Sequence, residues 1–142
     1  MTADKWAIGI DLGGTKIKAA RVDESGTIQD QIKESTDVSG VKAVQKQIEG
    51  LAHKLIRKSS GKAVSLGIGV AGQIDKETGA VAYAPNLKWH DVPLDTNLEK
   101  RLDLPVFVLN DVRAAAWGEW LHGAGKECDH MICMFVGTGI GG

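Results

Sequence analysis

The stretch Asp11-Leu12-Gly13-Gly14-Thr15-Lys16 sets a carboxylate, paired glycines, a hydroxyl and a cation side by side. Glycines let a turn bring backbone N–H groups up to phosphate oxygens. Thr15 can add a hydroxyl donor, and Lys16 a positive charge. Asp11 suits Mg2+, which takes few carboxylates and keeps several waters. An ordinary hairpin turn also uses Gly-Gly, so the motif alone leaves both readings open. The Gly-Lys-Ser/Thr spacing of a Walker loop is absent. At the other end of the chain an apolar run, Met131 to Val136, enters Gly137-Thr138-Gly139 and stops at Gly142. That order of strand and glycine turn suits either a second phosphate loop or a loose tail.

Two further places carry chemistry. Asn110 and Asp111 end an apolar strand and begin a helix, where ligands gather in α/β sheets. The same two residue types are favoured helix N-caps, yet the roles need not exclude one another, since Asn110 could cap while Asp111 points into a cleft. The segment from Tyr83 to Leu94 contains Asn86, Trp89 and His90 in a loop bounded by Pro85 and Pro93. Amides suit sugar hydroxyls because they donate and accept at once. Trp89 reads as a buried anchor and His90 as a surface loop residue. Cys128, His130 and Cys133 invite a metal reading, but three ligands fall short of a structural zinc site, and Cys133 is expected to be a small buried hydrophobe.

These residues need a frame. Residues 6–34 read as three short strands in an antiparallel meander, turning at Gly13-Gly14 and at Asp23 to Gly26. Val41, Val44, Ile48, Leu51 and Leu55 then fall at helical spacing, with Ser39 as the expected N-cap and Gly61 as the stop. Ala63 to Gly72 reads as a buried strand whose glycines mark a close backbone approach. A hairpin through Lys76 to Gly79 follows, and after the Pro-bounded loop a short helix on Leu94, Leu98 and Leu102 must end before Pro105. The strand from Pro105 to Leu109 delivers Asn110 and Asp111 into an alanine-rich helix.

Composition bounds the whole. With 142 residues, 43% hydrophobic and 25% charged, the chain fits one ordinary globular domain. A formal net charge of −1 argues against nucleic acid or an anionic membrane as partner. No apolar run has the roughly 20 residues needed to span a bilayer. The expected setting is soluble and cytoplasmic.

Taken together, the segments Ile8 to Ala20, Gly67 to Asp75, Ala84 to Leu94, Asn110 to Glu119 and Phe135 to Gly142 resemble, in order, the ROK family of sugar kinases and sugar-responsive repressors. The nearest general likeness is to bacterial glucokinases and related hexose or N-acetylhexosamine kinases. The resemblance implies an α/β fold of the ribonuclease H-like, actin-like ATPase type. It implies ATP and Mg2+ as cofactors, with a hexose or N-acetylhexosamine accepting the phosphoryl group, through C6 in the glucokinase pattern. Asp11, Gly13, Gly14, Thr15 and Lys16 match the first phosphate motif, Asp11 being the Mg2+ candidate. Gly137, Thr138, Gly139, Gly141 and Gly142 match the second. Asp111 matches the catalytic base and Asn110 its neighbour on the sugar. Asn86 and the backbone at Gly72 match sugar-binding positions.

Ala71 and Arg113 depart from the family's commoner residues beside the sugar, which leaves specificity open. The family's Glu-x-Gly-His sugar ligands, its cysteine-rich zinc motif and its adenosine-binding region have no counterpart here. Residues 1–125 are thus expected to form an N-terminal domain, and 126–142 the first strand and glycine loop of a second. Such a chain is expected to show little or no turnover alone, and either to self-associate through its apolar C-terminal segment or to be disordered near the C-terminus. The rival reading is a non-catalytic sugar-sensing module of the repressor kind.

Overall fold

The computed structural model describes residues 4–136 and 140–142. Its centre is a five-stranded sheet built from β1 (Lys5–Leu12), β2 (Lys16–Asp23), β3 (Ile28–Ser35), β4 (Lys62–Val70) and β8 (Val106–Asn110). The strand order is β3-β2-β1-β4-β8. The first three strands form the antiparallel meander expected from the sequence, while β1, β4 and β8 run parallel. Period-two alternation explains β1: Trp6, Ile8, Ile10 and Leu12 are buried, and the residues between them face the other side.

One sheet face is closed by α1 (Val41–Lys58), whose Val44, Ile48, Leu51, Ala52 and Leu55 are buried along one stripe. Beside it lies α2 (Leu94–Leu102), anchored by Leu94, Leu98 and Leu102 and tied to α1 by Arg101 Nη1 to Glu49 Oε2 at 3.2 Å. Each fully buried Leu or Ile here contributes about 1.5–3 kcal/mol relative to exposure. The expected caps of α1 are corrected. Gly40, not Ser39, is its N-cap, because the Ser39 hydroxyl donates to Asp37 Oδ1 at 2.6 Å and is no longer free. The helix stops at Ser59, whose hydroxyl donates to the Leu55 carbonyl, and Gly61 serves the following turn at φ 87°.

The opposite sheet face is more open. Ala20, Gly9, Gly67 and Phe107 stand in one register row across four strands. A Cβ built on Gly9 or Gly67 would meet nothing within 4 Å. The groove over this row has a volume of about 540 Å3. Its end is covered by α3 (Asp111–His122), which crosses Gly69.

Two stretches differ from the sequence reading. The Pro-bounded loop holds a further strand, β7 (Trp89–Val92), and a 3-10 turn at Pro85–Leu87; β7 pairs with β6 (Val81–Ala84) of the expected Lys76 to Gly79 hairpin, whose other strand is β5 (Gln73–Ile74), giving a three-stranded antiparallel unit. The β5–β6 turn is closed by Asp75, whose carboxylate accepts from the N–H groups of Glu77 and Thr78 and from the Thr78 hydroxyl. These bonds, the Thr78 N–H first, hold its pKa below the usual carboxylate value. The second difference is at the C-terminus. Of Met131 to Val136 only β9 (Phe135–Val136) is strand, pairing with β10 (Ile140–Gly141). Residues 131–134 find no strand partner among the described residues, and Ile132 is 99% exposed.

Candidate functional site

Asp111 opens α3 directly after β8, and the cap falls to its neighbour. Asn110 is the N-cap, its Oδ1 accepting from the Arg113 N–H at 3.2 Å. Its Nδ2 donates to the Gly72 carbonyl at 3.0 Å and to Asp111 Oδ1 at 3.1 Å. Asp111 Oδ1 also accepts from the Val112 N–H at 2.9 Å. One carboxylate oxygen is therefore held, and Oδ2 has no hydrogen-bond partner among the described residues.

Asp111, Asn110, Gly72 and Asn86 line a common cavity of about 730 Å3, with Gln73 and Tyr83 on its wall. Gly72 is there for steric reasons: a Cβ would lie 2.6 Å from the Tyr83 carbonyl oxygen and 3.0 Å from Ala84 Cβ. Asn86 sits in the exposed 3-10 turn, which β6 and β7 hold in place. Trp89, next to it, is 2% exposed and anchors the turn; His90 is exposed and tilts against Tyr83 at 4.9 Å between ring centroids. Gln73 and Tyr83 were not singled out from sequence. The only trace of them is their proximity to Gly72 and Asn86 in the chain.

The Gly13-Gly14-Thr15 turn abuts this cavity. A Cβ on Gly14 would lie 2.7 Å from Asn86 Cβ and 2.8 Å from its carbonyl oxygen. Thr15 and Lys16 are exposed at the mouth of the turn. Asp11 is not in the Asp111 cavity. It lines the open sheet face, with Lys18 Nζ 3.3 Å from its Oδ2 and both side chains more than half exposed. The two carboxylates flank Gly69, which is the register partner of Asp11, while its Cβ position lies 3.4 Å from Asp111 Cα. Gly137, Thr138 and Gly139 lie outside the described residues. Gly141 packs on Val112 at the start of α3, bringing the terminal hairpin to the rim of the cavity.

Two other features lie apart from this cavity. A groove of about 1090 Å3 between α3 and residues 129–132 is walled by Trp117, Trp120 and Ile132. The indoles meet edge to face at 5.3 Å. Cys128 is exposed and Cys133 half-buried, less buried than the expected hydrophobe, and both are free thiols. Among the described residues no three His, Cys, Asp or Glu side chains are grouped to hold a metal. No helix there is long and apolar enough to cross a membrane.

A sheet of this order, with its carboxylate at a strand-to-helix junction and a glycine turn alongside, is the N-terminal architecture of an actin-like ATPase sugar-kinase fold. The chain belongs to the ROK family, which it matches over residues 7–142. It is 41% identical over 140 residues to a glucokinase of Streptomyces coelicolor, covering 95% of this chain and 42% of that protein. It superposes with a TM-score of 0.87 and 40% identity on a ROK glucokinase from Streptomyces griseus solved with glucose and AMPPNP, covering 96% of this chain and 43% of that one. It is also 32% identical over 139 residues to the xylose repressor of Bacillus subtilis, covering 96% of this chain and 36% of that protein. The chain thus spans less than half the length of these relatives.

Proposed function

We propose that this chain is the N-terminal part of an ATP-dependent hexose kinase that moves the γ-phosphoryl group of ATP to a sugar hydroxyl, C6 in the glucokinase pattern. The observation that carries the reading is the Asp111 carboxylate, held on one oxygen by Asn110 and Val112 and lining one cavity with Gly72 and Asn86. In this reading the Asp111 Oδ2 accepts the proton of the attacking sugar hydroxyl, and Asn110 and Asn86 orient the sugar. Phosphoryl transfer has a loose transition state, so positioning and charge neutralisation supply most of the catalysis. The Gly13–Thr15 turn and Lys16 would take phosphate oxygens, and Asp11 would take Mg2+. The exposed Asp11 carboxylate suits an ion that uses one or two carboxylates and keeps its waters, although Lys18 must yield its place. When bound, Mg2+ neutralises charge on the donor phosphates. Gly137, Thr138 and Gly139 are assigned to the second phosphate loop on the ROK pattern alone.

We further read residues 1–125 as one domain and 126–142 as the opening of a second. The sparse secondary structure after α3 and the docking of β9–β10 on its start support this. Self-association through exposed Trp117, Trp120 and Ile132, and a cytoplasmic setting, belong to the same proposal. The test is calorimetric titration of this chain with a hexose panel, with and without Mg-ATP. Binding of one sugar at millimolar strength or better, lost in Asp111→Ala, is the expected result. Binding that survives Asp111→Ala refutes the placement of sugar against Asp111. The second reading, a sugar-responsive regulator, draws on the xylose repressor relative. In a full-length protein Asp111→Ala removes turnover from a kinase but leaves a sensor its sugar response.

A further inference from the structure

The Gly13–Lys16 turn has an uneven hydrogen-bond pattern. Three of its carbonyl oxygens are taken up inside the protein. Lys16 O accepts from the Gly13 N–H at 3.1 Å, Thr15 O accepts from the Thr36 N–H at 3.0 Å, and Gly13 O accepts from the Thr36 hydroxyl at 2.7 Å. Among the described residues the N–H groups of Gly14 and Thr15 and the Thr15 hydroxyl have no acceptor. A turn that is to receive an anion needs this asymmetry, with acceptors turned away and donors left open. Two of the three tied carbonyls are held by one residue that lies outside the glycine motif.

We infer that Thr36, the first residue after β3, is the positioning residue that holds the Gly13–Lys16 turn in its anion-receiving shape. Its N–H continues the β2–β3 pairing of Lys16 with Ser35 by one step, reaching Thr15 O. Its half-buried hydroxyl then reaches across to Gly13 O, so one side chain and its own backbone straddle the turn. Asn86 meets the same turn by packing against Gly14. The turn is therefore held both by hydrogen bonds from Thr36 and by packing on Asn86. Without the Thr36 hydroxyl, Gly13 O is free to swing toward the space a phosphate would occupy. A carbonyl dipole there opposes an anion.

The inference rests on reading this turn as a phosphate site, and the test separates the two. The 142-residue chain and its Thr36→Val and Thr36→Ser variants are compared by amide NMR, without ligand and with Mg-ATP. Valine keeps the shape and removes the donor; serine restores the donor. The expected result is faster exchange and shifted resonances at Gly13, Gly14 and Thr15 in Thr36→Val, with the amides of Ile8, Ile10 and Leu66 unchanged. Mg-ATP should bind that variant about three- to tenfold more weakly, the worth of one net hydrogen bond, and Thr36→Ser should recover most of the loss. Turn resonances and affinity unchanged in Thr36→Val overturn the inference while leaving the phosphate reading intact. Turn amides of the parent chain that ignore Mg-ATP overturn the phosphate reading, and the inference falls with it. If Thr36→Val and Thr36→Ala both lose the core amide protection, Thr36 is a folding residue and the inference is likewise overturned.

Discussion

Replacing Asn110 by alanine removes three hydrogen bonds made by one half-buried side chain. The cap on α3 is worth about 1 kcal/mol. The bond from Nδ2 to the Gly72 carbonyl contributes about 1 kcal/mol more, and its loss leaves that carbonyl short of a partner. The contact with Asp111 joins two groups near the mouth of the cavity and is left out of the sum. The expected loss is therefore about 2 kcal/mol. For a chain of this size that lowers the melting temperature by about 6–8 °C. Asn110→Ser keeps a hydroxyl able to cap Arg113 but cannot reach Gly72, so it should lose about half as much. Thermal melts followed by far-ultraviolet circular dichroism decide the matter. A melting point for Asn110→Ala within about 1 °C of the parent refutes the reasoning, because the bridge from α3 to the Gly72 turn would then carry no weight.

Asp23 accepts from the Ser25 hydroxyl, Gln29 Nε2 and the N–H groups of Thr27 and Ser25, which pull its pKa from 3.8 to about 2. A depressed folded-state pKa contributes stability above the unfolded value that disappears as pH falls from about 4 toward 2. A carboxyl NMR titration of Asp23 with an ordinary midpoint would contradict this, as would an Asp23→Asn chain whose acid sensitivity matches the parent's. Gly72→Ala should destabilise the fold by about 1–3 kcal/mol, since its Cβ meets backbone at 2.6 Å. Gly67→Ala enters open space and should be neutral or stabilising by less than about 1 kcal/mol. Urea unfolding of the pair tests both, and equal costs would mean the two sites are not as different as the packing implies.

The parts of the fold legible in sequence are those whose pattern reports burial on one face. Trp6, Ile8, Ile10 and Leu12 announce β1 by alternation, and Val44, Ile48, Leu51 and Leu55 announce α1 by helical spacing. Pro105 fixes where α2 must end. What stayed hidden depended on a partner the pattern does not name. Ser39 is a good cap by type, but Asp37 takes its hydroxyl, and that competition is invisible until the turn has a shape. The strands flanking Asn86 exist because Tyr83 finds His90 and Ala84 finds Trp89, while Pro85 between them reads as a loop. Met131 to Val136 is apolar enough for a strand, yet an apolar run does not supply a neighbour to pair with. At the candidate site, Asn110 and Asp111 were legible as a pair, with Asn110 as a possible cap, but the bond from Asn110 to the Gly72 carbonyl was not. Thr36 carries no motif at all, being one polar residue in a polar string.

The contact between Gly14 and Asn86 leaves no room between the Gly13–Lys16 turn and the Asn86 loop. The two are separate in sequence and would serve different substrates, but they share a wall. On the proposed function, retuning Asn86 to prefer another sugar would shift the floor on which the phosphoryl donor would rest. A laboratory evolution campaign aimed only at acceptor choice would then be slowed by losses in donor affinity. Second-site changes between Asp11 and Lys16 would be the natural repair, so the two loops should be randomised together.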